Sequence, residues 1–131
     1  MKIKVIGIPV QDQEKALKFY TEKLGFLKKS DVPLDENTRW LTVVSKDDQD
    51  GAEILLEPSP SHFGPTKTYQ SSLFEAGIPY TQLDSDNVQR DYERLLSLGV
   101  EFSVEPKTLG TEKFAVFNDT CGNHIQIVEM L

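Results

Sequence analysis

Cysteine and histidine are scarce in this chain, and basic residues are outnumbered by acidic ones. Among its 131 residues there is one cysteine, Cys121, and there are two histidines, His62 and His124. A single cysteine forms no intramolecular disulfide, so a reducing compartment suits the chain and the fold must rest on its core. Lysine and arginine number 14 against 21 acidic residues, a formal net charge of −7. A protein that neutralises phosphates needs a basic surplus on some face. The local basic run here, Lys28-Lys29, is two residues long, which argues against nucleic acid as a partner. No apolar run approaches the roughly 20 residues of a membrane span, so no membrane partner is expected. The run from Val5 to Val10 is short for a secretory core and leads straight into Gln11-Asp12-Gln13-Glu14. No targeting segment is expected, and the cytoplasm is the expected location.

What is present is an ordinary globular composition. With 38% hydrophobic and 27% charged residues, the chain lies clear of the low-hydrophobicity, high-charge regime of disordered sequences. A domain of this length buries roughly two thirds of its unfolded surface, enough for a core without metal or disulfide staples.

The chain opens with period two: Lys4, Ile6, Ile8 and Val10 alternate with Ile3, Val5, Gly7 and Pro9, a strand pattern. The period then changes. Asp12 is a good N-cap, Glu14 is an acid in the first turn, and Ala16, Leu17, Tyr20 and Leu24 form an apolar stripe before Lys23 and Gly25. Strands are predicted over Phe26 to Lys29, Arg39 to Val44 and Ala52 to Glu57, the last two joined by the turn Asp47-Asp48-Gln49-Asp50-Gly51. Residues 59–78, with Pro60, Gly64 and Pro65, read as a linker holding a short helix from Lys67 to Glu75. The first order then returns: strand Tyr80 to Leu83, a helix capped by Asp86 and ended by Gly99, and strands at Phe102 to Glu105, Phe114 to Phe117 and His124 to Glu129. Asp12 to Gly25 and Asp86 to Gly99 have the same spacing, and each last strand follows a turn glycine, Gly51 or Gly122. The chain repeats its own architecture.

Phe19-Tyr20-Thr21-Glu22-Lys23-Leu24-Gly25-Phe26, then Leu98-Gly99, then Asp119-Thr120-Cys121-Gly122-Asn123 before an apolar strand resemble the vicinal-oxygen-chelate superfamily. That group includes glyoxalase I, extradiol dioxygenases, methylmalonyl-CoA epimerase, and the fosfomycin and bleomycin resistance proteins. The resemblance spans essentially the whole chain. It implies an α+β fold of two βαβββ modules, each an open, curled mixed sheet with a helix packed outside, forming cup-like pockets. Module one would occupy about residues 1–58 and module two about residues 79–131 of one domain.

The superfamily fixes a scaffold rather than a reaction, so function has to come from pocket residues. Its enzymes hold a divalent metal with His, Gln or Glu from the first and last strand of each module, open to two adjacent substrate oxygens. The landmarks put those positions at Val5, Leu55, Tyr80 and Gln126. Two aliphatic side chains, a phenol and an amide do not make that site, so no metal cofactor is expected. The cup face of the last strands is expected to carry Glu53, Glu57, His124 and Gln126, with Tyr80 and Trp40 as further ligand contacts. Trp40, Phe114 and Phe117 sit on strands, where core packing competes with stacking on a ligand. His62 is read as a solvated loop residue and Cys121 as an ordinary turn cysteine.

Three functions stay open. The first is a metal-free small-molecule-binding protein, a homodimer of the bleomycin-resistance type that sequesters a cationic ligand, which Glu53 and Glu57 would favour. The second is a glyoxalase-like lyase, isomerase or dioxygenase with a site rebuilt around Glu53, Glu57, Tyr80, His124 or Gln126, in which a carboxylate beside Leu55 is the general base. The third is a partner-binding module that uses the insertion from Ser59 to Gly77.

Overall fold

Alternating apolar residues build a strand here wherever one face can be covered by a helix, and the chain does this twice. A computed structural model describes residues 1–131. Its elements are β1 (Val5–Pro9), α1 (Gln13–Lys18), a π-helical turn (Phe19–Lys23), β2 (Leu27–Pro33), β3 (Arg39–Val44) and β4 (Glu53–Glu57). A 3₁₀ turn (Ser59–Ser61) and α2 (Gly64–Glu75) follow, then β5 (Pro79–Asp84), α3 (Val88–Ser97), β6 (Phe102–Leu109), β7 (Glu112–Asn118) and β8 (His124–Met130).

The strands form two four-stranded sheets in the orders β1-β4-β3-β2 and β5-β8-β7-β6. In each, the first strand runs parallel to the last while the other pairs are antiparallel. These are the two open βαβββ modules expected from the sequence. The chain divides into two compact units, Met1–Gln70 and Ser71–Leu131, with the boundary inside α2. Each unit has its own core, formed by Ile8, Val10, Ala16, Tyr20, Leu41, Val43 and Leu56 in the first and by Val88, Leu95, Ala115, Phe117, Ile125 and Val128 in the second. Burying each of the larger apolar side chains contributes roughly 1.5–3 kcal/mol. No helix is long and apolar enough to cross a membrane.

Several boundaries differ from the sequence-based expectation. β2 begins at Leu27 and runs to Pro33, because its partner β3 is long enough to pair with it and a bulge between Lys28 and Ser30 absorbs one residue. The linker helix starts at Gly64 rather than Lys67, since proline is tolerated in a first helical turn. The N-cap of α3 is Asn87, not Asp86. Its side chain accepts from Arg90 N at 2.8 Å, and its backbone is extended.

That correction changes the repeat. From cap to closing glycine the first helix spans thirteen residues and the second twelve, and both glycines, Gly25 and Gly99, have positive φ. The wider π-helical turn accommodates the additional residue in the first. It also allows consecutive Phe19 and Tyr20 both to be buried.

Candidate functional site

The face of the first sheet away from α1 carries Glu53, Leu55 and Glu57 on β4, since Leu56 points the other way into the core. β3 contributes Trp40 and Thr42, Thr42 pairing directly with Leu55. Beyond that pair the two strands separate. A cavity of about 810 Å³ is lined by residues 34–40, Leu55, Glu57, Pro58, Ser61 and His62.

Three acids line the cavity: Asp35, Glu36 and Glu57. Asp35 accepts from the backbone N–H groups of Asn37 and Thr38, both at 2.8 Å. Asn37 is the main cause holding its carboxyl below the usual carboxylate range, helped by Thr38 and by nearby His62 against a smaller effect of burial. The backbone O of Glu57 accepts from Val10 N at 2.8 Å, but its carboxylate has no hydrogen-bond or ion-pair partner in its unit.

Arg39, the one strong base in the lining, is already engaged. It meets Glu14 at 2.9 Å and Asp31 at 3.0 and 3.4 Å. The Glu14 hydrogen bond, with Asp31 behind it, pushes Arg39 further up, so it stays charged and its charge is compensated outside the cavity. The net field of the lining is negative.

At Asp31, desolvation pushes the carboxyl up, but the Arg39 hydrogen bond and charge, with Lys28, outweigh it and hold the group below its ordinary value of 3.8. Such a carboxyl binds fewer protons folded than unfolded, so its stabilisation is present above the unfolded value, about 3.9, and is lost as pH falls through the lower folded one. Thermal stability is therefore expected to fall below about pH 4, and to fall less steeply in Arg39→Met. Equal pH profiles of Tm for the two proteins would contradict this assignment.

The remaining sequence-nominated residues lie elsewhere. Glu53 is buried, accepts from Thr42 Oγ1 at 2.7 Å and faces Lys4 Nζ at 3.6 Å. Thr42 Oγ1 in turn accepts from Ser30 N at 3.1 Å, so Glu53 belongs to a chain of bonds across three strands. In the second unit, Gln126 Nε2 donates to Gln82 Oε1 at 3.1 Å, and Tyr80 sits at an irregularity in the β5–β8 pairing. His124 is buried and stacks on Phe74 with ring centroids 4.2 Å apart. Its Nε2 lies 3.2 Å from Phe74 O, while Nδ1 has no partner.

Asp35, Arg39 and His62 escaped the sequence reading as site residues. His62 is exposed, as expected, yet lines the cavity. The one signal was the position of Asp35 and Arg39 beside Trp40, in a loop whose fold a sequence leaves open. The residues that the family resemblance puts at metal positions do not fit a metal. Val5 and Leu55 have no donor atom, Gln126 is bonded to Gln82, and no group of three or more His, Cys, Asp or Glu side chains is placed to hold an ion.

The family described as Glyoxalase/Bleomycin resistance protein/Dioxygenase superfamily matches residues 2–127. The chain is 53% identical over 129 residues to the uncharacterized protein YurT of Bacillus subtilis (strain 168), covering 98% of this chain and 99% of that one. Among solved structures, UcmS2 has a TM-score of 0.83 at 34% identity, covering 98% of each chain. TnmS3, described as an antibiotic binding protein from Streptomyces sp. CB03234, has a TM-score of 0.75 at 28% identity, covering 100% of this chain and 97% of that one. With two βαβββ modules, a cavity on the first sheet and a family match over nearly its full length, the chain belongs to the glyoxalase/bleomycin resistance protein/dioxygenase superfamily.

Proposed function

We propose that this chain binds and sequesters a small organic cation with a flat apolar portion, in the cavity of its first unit, as a homodimer. The observation that carries this reading is the unpartnered Glu57 carboxylate facing a cavity walled by Trp40 and Leu55. A half-buried carboxylate without a partner gains most from a cation that brings its own charge. Trp40, 39% exposed, offers an indole face for a ring or an ammonium group. Leu55 adds an apolar side chain to the lining, at the position where the family resemblance leads one to expect a metal ligand. Glu53 supports the site through Thr42 in this reading. The description of TnmS3 as an antibiotic binding protein supports binding as the activity. The open sheets leave β1, β2, β5 and β6 as edge strands, and covering such edges is a physical reason for a dimer.

Proflavine, a planar cation, tests the site directly. Saturable quenching of Trp40, the one tryptophan of the chain, is expected on titration. Glu57→Gln is expected to weaken binding about tenfold at low salt, near 1.4 kcal/mol. Equal or tighter binding of the anionic probe 1-anilinonaphthalene-8-sulfonate would contradict the proposal, as would an unchanged affinity in Glu57→Gln. For the dimer, sedimentation equilibrium is expected to give twice the 14.8 kDa chain mass, and a particle of the single mass would remove it from the proposal.

A further inference from the structure

The β3–β4 ladder ends early. It pairs Val44 with Glu53, Val43 with Ile54 and Thr42 with Leu55. At the same register Leu41 would next face Leu56 and Trp40 would face Glu57, but those pairs do not form. β3 stays bound to β2 there, with Leu41 opposite Asp31 and Trp40 opposite Val32. β4 stays bound to β1, with Leu56 opposite Ile8 and Glu57 opposite Pro9. The sheet splits at its centre while both halves remain intact.

Backbone groups in such a split need partners, because an unpaired buried N–H or C=O is costly. One side chain supplies them. Gln13, the first residue of α1 and 7% exposed, donates from Nε2 to Arg39 O at 2.7 Å and to Leu56 O at 2.9 Å. Its Oε1 accepts from Arg39 N at 3.0 Å. A primary amide carries the donor and acceptor of a peptide group plus one more N–H. Gln13 therefore bridges the two strands where their own ladder is interrupted.

We propose that Gln13 is the positioning residue of the cavity: its amide wedges β3 and β4 apart and so sets the separation of Trp40 and Glu57. Directly opposed residues on a closed antiparallel ladder have Cβ atoms about 4.5–5.5 Å apart, which leaves no room for a ring between them. The split turns two cross-strand neighbours into two lips of a cleft. The role of the lips rests on the binding reading above, whereas the wedge is a property of the free protein and is tested without a ligand.

Caesium ions quench an accessible tryptophan, and Trp40 reports alone. In Gln13→Ala the ladder is expected to close, Leu56 O gaining Leu41 N as donor and Arg39 N gaining Pro58 O as acceptor, while Arg39 O, opposite a proline without an N–H, turns to water. The caesium quenching constant of Trp40 should then fall at least about twofold, and the proflavine affinity about tenfold. Gln70→Leu is the control. It removes another buried amide of the same unit, whose Nε2 donates to Pro9 O at 2.8 Å, and is expected to lower Tm without changing Trp40 quenching. Gln13→Asn keeps the amide on a shorter stem and should give an intermediate fall; it carries the same readout if Gln13→Ala does not fold. Quenching of Trp40 that is unchanged or increased in a folded Gln13 variant overturns the wedge. If native protein binds no proflavine but the quenching falls as described, the binding reading fails and the wedge stands.

Discussion

Replacing Asp119 by alanine is expected to destabilise the protein by about 4 kcal/mol, a fall in Tm of roughly 10–20 °C. Asp119 is fully buried in the turn between β7 and β8. One carboxylate oxygen accepts from Cys121 N at 2.8 Å and Asn123 N at 2.9 Å, and the other from Asn123 Nδ2 at 2.8 Å. Alanine leaves all three donors without this acceptor in a place water does not reach. The turn has little slack, because Thr120 has a φ of 61°, a left-handed conformation that a β-branched residue holds only while the surrounding bonds enforce it. Asp119→Asn separates the contributions. Its amide oxygen can still accept from the two backbone N–H groups, but its NH₂ then opposes that of Asn123, so a loss of about 1–2 kcal/mol is expected. Urea unfolding of the three proteins makes the comparison; a loss in Asp119→Ala no larger than in Asp119→Asn would refute the account.

Tyr20→Ala is expected to cost about 3–5 kcal/mol, within the range for removing a buried aromatic ring. Tyr20 has no exposed surface, meets Phe19 edge-on at 5.6 Å and stacks on Phe26 at 6.4 Å. It anchors the π-helical turn, since Phe26 N donates to Tyr20 O at 3.0 Å as the chain leaves for β2. Tyr20→Phe retains the ring and is expected to lose no more than about 1.5 kcal/mol. The two variants differ mainly in packing, so similar midpoints in urea would show that the ring is not what holds this helix to its sheet.

Much of the fold was legible because it depends on local patterns. The alternation in β3 and β4, the stripe through Ala16, Leu17 and Tyr20, and the glycines at residues 25 and 99 are each read from neighbours in sequence. The cap of α3 was misplaced by one residue because Asp86 and Asn87 are both good capping types, and only the backbone conformation decides between them. Gln13 carried a signal that went unused. It stands one turn before Ala16 and Leu17, on the stripe that faces the core, where a polar residue must find partners. The sequence shows that Gln13 needs hydrogen bonds. It does not show that Arg39 and Leu56, 26 and 43 residues away, provide them.

The candidate site divides in the same way. Trp40 and Glu57 could be nominated for their chemistry and for the face their strands present. Their isolation from other partners could not, because Arg39 is drawn off by Glu14 and Asp31 through contacts spanning 25 and 8 residues. Glu53 looked equivalent to Glu57 at the same alternation, yet Thr42 engages it and leaves Glu57 alone.

By itself, then, the sequence determined the two modules, the order of strands and helices, and the absence of metal donors at Val5 and Leu55, because each follows from residue type and local period. Tertiary structure alone decided which carboxylate faces the cavity unpaired, that β3 and β4 separate after Thr42 and Leu55, and that Gln13 fills the break. Those outcomes turn on which of several possible hydrogen-bond partners meet in space, and that choice is made only when distant segments pack.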